Sequence, residues 1–241
     1  PKESAAALGG TVKQERTNTD NAAPIGVVAV APGQGFVEIF HSLNAGKVIT
    51  GGQTMNPSTQ DLVGAINALP QQEVIILPNN SNILMASRQA AELVEKTVRI
   101  IPSKTVPQGM SAMLALNYTE DLEDNVAAMT KALPHIRTLE ITTAVRDATV
   151  DDKVVRSGQT IGLLDGTLVE AGDDRNAVID AMLARVDMDE YEVVTIYYGE
   201  TMQEPDAQAL AERITERYTH LDSVEVQHGG QPFYDFIISA E

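Results

Sequence analysis

Polar residues that could bind a ligand concentrate in loops that follow apolar runs of the sequence. Seven of them carry amide, hydroxyl or amino groups: Gln53, Thr54, Asn56, Asn79, Asn80, Lys104 and Gln108. Amide and hydroxyl groups donate and accept hydrogen bonds, but they neither act as general bases nor rank among the usual metal ligands. We therefore expect these loops to bind a ligand or a partner. We predict no catalytic residue and no metal site in this chain.

Turn formation and helix capping are the alternative role for the same loops. They account well for Pro57, Ser58 and Gly109, which are typical turn and cap residues. A further loop contains Gly33 and Gly35, but it lacks the third glycine of a dinucleotide-binding loop. No acidic residue ends the second predicted strand either, so the sequence does not support nucleotide binding.

Histidine and arginine supply two further candidates. The four histidines are scattered, and only His228 stands in a distinctive context, the tight turn His-Gly-Gly-Gln-Pro between two predicted strands. Glycines there would let the backbone approach a ligand closely. Arg146 follows another predicted strand and precedes Asp147, so either partner binding or a local ion pair would explain it.

Composition excludes several classes of function. The 241 residues include no cysteine and carry a formal net charge of −17, which repels nucleic acid and anionic lipid. No apolar run approaches the roughly 18 residues that span a bilayer. We therefore expect a cytoplasmic protein without a nucleic-acid partner or a membrane span. Because the sequence begins at Pro1, we also expect upstream residues that could hold an active site.

The first half of the sequence alternates strands and helices. Apolar strand patterns occupy residues 25–31, 47–50, 73–77 and 97–101, with helical patterns between them and a last helix around residues 110–116. This repetition, roughly every 25 residues, is typical of βαβ units with a parallel sheet. We predict a parallel α/β subdomain at residues 24–117, preceded by a linker or disordered segment at residues 1–23.

The second half has a different pattern. Helical periodicity occupies residues 121–133, 175–186 and 206–218, and strand patterns occupy residues 138–145, 160–164, 167–169, 192–198, 224–227 and 234–239. The strand at 138–145 alternates as if one face were exposed, and Asp165 and Gly166 form a strong hairpin signal. We predict a mixed or antiparallel α/β subdomain at residues 118–241.

Four motifs together resemble one family. They are Gly-Gly-Gln-Thr-Met-Asn-Pro-Ser-Thr at residues 51–59, Leu-Pro-Asn-Asn-Ser-Asn-Ile at 77–83, Pro-Ser-Lys-Thr-Val-Pro-Gln-Gly at 102–109 and Ala-Val-Arg-Asp at 144–147. From about Ile25 onward the chain resembles the carboxy-terminal domain of FakA-type fatty acid kinase subunits, which are related to dihydroxyacetone kinases. Thr50 replaces the acidic residue that usually precedes the first motif.

The resemblance implies an EDD fold like that of DegV proteins and of fatty-acid-binding FakB subunits. It places ATP and magnesium in an amino-terminal helical domain outside this chain, so no cofactor is expected here. It also implies that this domain docks the FakB subunit, whose bound fatty acid is phosphorylated. FakB and DegV proteins carry a Thr-Ser-Gln loop that holds the fatty acid carboxylate. The matching residues here are Gly51, Gly52 and Gln53, which lack the hydroxyl.

Two other functions remain open at this point. The chain could carry a fatty acid or another small lipid, as DegV proteins do. Alternatively, it could belong to a dihydroxyacetone-kinase-like subunit that attaches its substrate through a histidine, for which His228 is the candidate. Self-association is a further expectation that the sequence leaves open.

Overall fold

The computed structural model describes residues 23–51, 56–150 and 153–241, and these form two β-sheets and a small hairpin with helices around them. Gln53 and Thr54 lie outside the described ranges. The predicted linker at residues 1–23 also lies outside them, apart from residue 23.

The first sheet contains four parallel strands in the order β2-β1-β3-β4. Its strands are β1 (Ile25–Ala31), β2 (Lys47–Thr50), β3 (Glu73–Leu77) and β4 (Thr97–Ile100). Every residue of β1 is buried, as a central parallel strand covered on both faces requires. The parallel sheet predicted from the sequence is therefore confirmed.

Helices connect these strands and cover both faces of the sheet. They are α1 (Gln34–Ser42), α2 (Thr59–Ala68), α3 (Leu84–Glu92) and α4 (Val106–Leu114). Ser58 and Asp61 form a reciprocal capping box at the start of α2. The prediction for α4 was wrong at its start, because the helix begins at Val106 rather than near Met110. Thr105 caps this earlier turn, and a proline in its first positions suits a helix start.

The second sheet contains six strands in the order β11-β10-β12-β5-β8-β9. Its strands are β5 (Arg137–Thr143), β8 (Thr160–Leu164), β9 (Thr167–Gly172), β10 (Val193–Tyr198), β11 (Ser223–His228) and β12 (Tyr234–Ala240). The β10–β11 pair is parallel and the other pairs are antiparallel, so the predicted mixed sheet is confirmed. Three helices complete this half: α5 (Leu122–Ala132), α6 (Arg175–Leu183) and α7 (Glu204–Arg217).

The prediction for residues 138–145 needs two corrections. Strand β5 ends at Thr143, and residues 138–141 are all buried instead of alternating with solvent. Both neighbouring strands pair with β5 and both of its faces are packed, so no exposed face remains. A second hairpin, β6 (Ala148–Val150) and β7 (Lys153–Val155), follows without a predicted counterpart. The turn at Asp165 and Gly166 is confirmed, with positive φ angles of 50° and 82°.

Packing joins the two sheets through one shared core. Helices α2 and α3 cover one face of the first sheet, and helices α1, α4 and α5 cover the other. The core on this second side also contains Tyr197, Tyr234 and Ile237 of the second sheet. Helices α6 and α7 pack on the far face of the second sheet. Helix α5 packs against α4 across the proposed boundary near residue 118, and that boundary stays a prediction.

The loop after β3 is fixed by a buried amide. Asn79 has a positive φ of 56°, and its side-chain nitrogen donates to the Val30 carbonyl at 2.9 Å. Its side-chain oxygen accepts a hydrogen bond from Ser103 Oγ at 2.7 Å. Gly109 of α4 lies against this amide, where an added Cβ would come within 1.9 Å of Asn79 Oδ1. Asn79 therefore joins the ends of β1, β3 and β4 to the start of α4.

One carboxyl group is buried in the region between the sheets. Glu140 of β5 is 9% exposed, and no hydrogen bond to it is found among the described residues. Burial and, to a smaller extent, the negative charge of Asp165 raise the pKa of Glu140 to about 7. The folded chain therefore keeps this carboxyl protonated over a pH range in which an exposed glutamate is ionised.

Substitution of Gly109 tests the contact with Asn79. Alanine usually stabilises a helix by about 1 kcal/mol relative to glycine. In Gly109→Ala the new methyl would displace a buried amide, so we expect a net loss of about 2 kcal/mol in the free energy of unfolding. Gly64→Ala in α2 is the matched control, since its Cβ meets nothing within 4 Å, and it should stabilise the chain. Chemical denaturation that shows equal gains for both variants would contradict the contact.

The pH dependence of stability tests the burial of Glu140. Its pKa is higher in the folded chain than in the unfolded chain, so between about pH 4.5 and pH 7 the folded state binds more protons. Stability from this group is therefore present at low pH and lost as the pH rises. Glu140→Gln should gain about 3 kcal/mol relative to the unchanged chain between pH 4.5 and pH 8, as measured by urea unfolding. A difference that does not change with pH would show that Glu140 is solvated.

Candidate functional site

A small cavity lies at the carboxyl ends of β1 and β3. Strand β1 has β2 on one side and β3 on the other, and in open parallel sheets ligands bind where the strand order reverses in this way. The cavity has a volume of about 20 Å³ and is lined by Val30, Pro32, Gly51, Pro78, Asn79, Asn80, Ile83, Val106, Glu140, Tyr234 and Ile237. That volume holds about one water molecule. We call this space the switch-point cavity.

Two of the predicted site residues, Asn79 and Asn80, line the switch-point cavity. Their side chains already have partners within the protein. The Asn79 amide bonds to Val30 and Ser103, and the Asn80 oxygen accepts a hydrogen bond from the Asn82 backbone nitrogen at 2.8 Å. Both asparagines thus shape the loop after β3, which is the role that turn formation would assign to them.

Lys104 and Gln108 lie in a different groove, beside Arg137 and Asp165. The Gln108 oxygen accepts a hydrogen bond from the Lys104 backbone nitrogen at 2.9 Å, which closes the turn before α4. The Lys104 side chain is exposed. Arg137 Nε lies 3.0 Å from Asp165 Oδ2, although its N–H direction does not form a hydrogen bond there. Of Lys104 and Gln108, only Lys104 is available to a partner.

The start of α1 contacts the turn that follows β11. The Gly229 carbonyl accepts hydrogen bonds from the backbone nitrogens of Gly35 at 3.0 Å and Phe36 at 3.4 Å. A Cβ on Gly35 would lie 1.8 Å from the His228 carbonyl oxygen, so only glycine fits. A phosphate would need these same backbone nitrogens. The glycines of this loop therefore serve a contact between the two sheets.

His228 and Arg146 lie at the surface in separate elements. The ring of His228, at the end of β11, packs against Tyr198 with 5.0 Å between ring centroids. Arg146 is exposed in the bend between β5 and β6. Asn56 is exposed too and lines a shallow groove beside β2 together with Thr50, Pro57 and Asp61. The predicted site residues that the structure describes therefore do not converge on one pocket.

Val145, next to Arg146, is one of several strongly exposed apolar side chains in the second half of the chain. Val145 is 86% exposed, Val154 of β7 is 69% exposed and Phe233 is 52% exposed. Thr142 near the end of β5 donates a side-chain hydrogen bond to the Phe233 carbonyl, so Val145 and Phe233 lie near the same end of the second sheet, whereas Lys153 beside Val154 donates to the Val169 carbonyl of β9. We call Val145, Arg146, Val154 and Phe233 the hairpin surface.

Two features hold the hairpin surface in place. Val155 is buried and anchors β7, and because Val154 precedes it in an extended strand, Val154 points to the opposite side. Phe233 has a positive φ of 70°, which is strained for a large side chain. Strained residues persist where the surrounding structure fixes them, and they are common at binding sites.

Glu140 is the site residue that the sequence analysis missed. It lines the switch-point cavity. Because Glu140 alternates with apolar residues in the sequence, the pattern is typical of a solvent-facing residue in a half-exposed strand. Within the described ranges, no cluster of three or more histidine, aspartate or glutamate side chains could hold a metal ion. The same ranges contain no helix long and apolar enough to cross a membrane.

Proteins from other bacteria are similar to this chain over most of its length. Protein YloV of Bacillus subtilis is 41% identical over 235 residues, covering 95% of this chain and 42% of YloV. An uncharacterised protein of Staphylococcus haemolyticus is 36% identical over 229 residues, covering 95% of this chain and 41% of that protein. The chain thus spans about two fifths of the length of these relatives.

Solved structures with the same fold are more distant in sequence. A DegV family protein of Corynebacterium glutamicum superposes with a TM-score of 0.63 at 15% identity, covering 91% of this chain and 98% of that one. The Streptococcus pneumoniae Fatty Acid Kinase B3 protein, loaded with linoleic acid, gives 0.57 at 12% identity, with 90% and 99% covered. The dihydroxyacetone kinase of C. freundii gives 0.57 at 12%, with 90% and 48% covered.

These structures confirm the DegV-like fold that the motifs implied, and at such low identity they show the fold alone. The family model for the C-terminal region of FakA-like fatty acid kinase proteins matches residues 26–241. This match takes in both sheets and the hairpin surface. The chain therefore belongs to the FakA-like C-terminal family of fatty acid kinases.

Proposed function

We propose that this chain is the partner-docking domain of an ATP-dependent fatty acid kinase and that it docks a FakB-type subunit carrying the fatty acid. In this proposal ATP and magnesium bind in a part of the protein outside this chain, and the chain has no activity alone. Membership of the FakA-like C-terminal family supports this role, because it links the chain to a fatty acid kinase.

The hairpin surface is the observation that carries the docking proposal. Exposed apolar groups that lie together commonly mark binding surfaces. Val145, next to the exposed Arg146, and Val154 are the most exposed apolar groups of the hairpin surface. Arginine is enriched in protein interfaces, because its planar charged group pairs well with carboxylates while its stem packs on apolar atoms.

The second candidate function is lipid binding. The size of the internal cavity gives it less support. Pockets for small ligands usually have volumes of about 300–1,000 Å³. The switch-point cavity offers about 20 Å³, which is far too small for a fatty acid.

The dihydroxyacetone-kinase-like alternative depends on His228. Attachment of a substrate to a histidine needs a ring that faces a polar pocket, where other groups orient the substrate. His228 instead packs its ring on Tyr198 at the surface, and the backbone carbonyl of the next residue, Gly229, accepts hydrogen bonds from the start of α1. The geometry therefore favours docking over this chemistry.

Substitution in the hairpin surface tests docking. Val154→Asp would place a carboxylate in the interface, and burying it without a partner should weaken binding by a factor of about ten or more. Isothermal titration calorimetry with a cognate FakB-type subunit loaded with fatty acid measures the dissociation constant. Met85→Asp is the matched control, because Met85 is a similarly exposed apolar residue on a different element, α3.

Equal affinity for the unchanged chain and Val154→Asp would show that the hairpin surface is not the interface. No binding of the unchanged chain to any cognate FakB-type subunit would overturn the docking role itself. Circular dichroism of both variants establishes that they remain folded, so that loss of binding is not loss of structure.

A further inference from the structure

The groove beside α4 combines positive charge with apolar walls. It has a volume of about 400 Å³ and is lined by Pro102, Lys104, Gln108, Thr130, Leu133, Pro134, Ile136, Arg137 and Asp165. Its lining has two cationic side chains and one acidic side chain, whereas the whole chain carries a net charge of −17. The volume lies in the range that is usual for small-ligand sites. We call this space the cationic groove.

Asp165 orients the guanidinium group of Arg137 in the cationic groove. One carboxylate oxygen of Asp165 accepts a hydrogen bond from the Thr138 backbone nitrogen at 2.9 Å, and the other lies 3.0 Å from Arg137 Nε. Within the described ranges, the two terminal nitrogens of Arg137 form no hydrogen bond, and this side chain is 37% exposed. One side of the guanidinium group therefore faces Asp165, and its terminal nitrogens can donate to an anion in the groove.

Gln108 supplies a second donor at the inner wall of the cationic groove. The residue is only 8% exposed, and its side-chain oxygen accepts the hydrogen bond from the Lys104 backbone nitrogen. That bond fixes the orientation of the amide group, so the nitrogen on its other branch is a donor with a set direction. The side chain lies too deep for the surface of a protein partner. A small ligand in the groove can reach it, because Gln108 is part of the lining.

The number of donors indicates which anion fits. The exposed Lys104 precedes α4, Gln108 lies within α4 and Arg137 lies on β5, so three donor groups come from three parts of the fold. A carboxylate has two oxygens, whereas a phosphate group has at least three in a tetrahedral arrangement. Arginine and lysine are both common phosphate-binding residues. Leu133 and Ile136 can contact an apolar organic part of the same ligand.

We propose that the cationic groove binds a phosphate group, with Lys104, Gln108 and Arg137 as its hydrogen-bond donors. The phosphate group belongs either to free inorganic phosphate or to a small phosphomonoester. Binding is noncovalent and leaves the ligand unchanged. The groove and the hairpin surface share no residue, so this proposal and the docking proposal can be tested separately.

A titration with sodium phosphate tests the site, with NMR of the full chain as the measurement. The backbone N–H of Lys104 donates to Gln108, so a phosphate bound to that side chain should shift the Lys104 amide signal until the site is saturated. Sodium chloride at the same ionic strength controls for screening. Sodium acetate should bind at least about ten times more weakly, because it has fewer acceptor oxygens. No saturable shift with phosphate, or equal affinity for acetate, would overturn the proposal.

Phenyl phosphate distinguishes the two sources of the phosphate group. If the ligand is a phosphomonoester, the phenyl ring should contact Leu133 and Ile136 and raise the affinity by a factor of about ten over that of inorganic phosphate. If both bind equally, or phenyl phosphate binds more weakly, the site is one for free phosphate.

Two substitutions in the cationic groove test its donors. Lys104→Met removes the ammonium group, and it should weaken phosphate binding by a factor of about ten. Lys47→Met is the matched control, since Lys47 is an exposed lysine at the start of β2, and its affinity for phosphate should not change. Equal effects of these two substitutions would contradict the site.

Gln108→Glu keeps the oxygen that accepts from the Lys104 backbone, but it replaces the amide donor with a negatively charged oxygen. Phosphate binding should therefore be lost, while circular dichroism establishes whether the variant is folded. Unchanged phosphate binding by the folded variant would overturn the role of Gln108 and with it the proposal. Should this variant fail to fold, the comparison of Lys104→Met with Lys47→Met still decides.

Discussion

The contact between the start of α1 and the turn after β11 is the constraint on which much of the structure depends. The Gly229 carbonyl accepts hydrogen bonds from Gly35 and Phe36, where an open helix start would offer its nitrogens to solvent or to an anion. No side chain fits between these backbones. The contact fixes the two sheets relative to each other, and Tyr197 and Tyr234 can then pack into the core of the first sheet. The switch-point cavity exists because the sheets are held at this separation.

The strands and helices were largely predictable because their patterns are local. The continuous apolar run of β1 indicated a central parallel strand, and Asp165 with Gly166 indicated the hairpin between β8 and β9. Helix α4 was placed too late because its first turn contains a proline and a glutamine, which look like loop residues. Thr105 starts the helix there through its cap and through a 2.8 Å hydrogen bond to Thr138, a residue 33 positions away. Local patterns do not contain that partner.

The candidate site was less predictable. The sequence identified the polar residues in the loops, but it did not identify the groups that surround them in the fold. Asn79 was expected in a ligand or partner role, and the structure shows its amide bonded to Val30 and Ser103. Glu140 was not singled out from the sequence, where alternation in β5 suggested one solvated face. Only the pairing of β5 with β8 and β12, together with packing on the first sheet, encloses it. Burial of a polar side chain depends on distant segments, and the sequence alone does not report it.

Strand β5 connects the interior between the sheets with an exposed end of the second sheet. Aliphatic side chains and Glu140 line the small cavity between the sheets. A well-filled interior stabilises the domain. Strand β5 carries both features, because Glu140 lies in its buried part and Val145 lies just beyond its exposed end. A few residues of one strand therefore separate the small internal cavity from the surface that we propose for the partner.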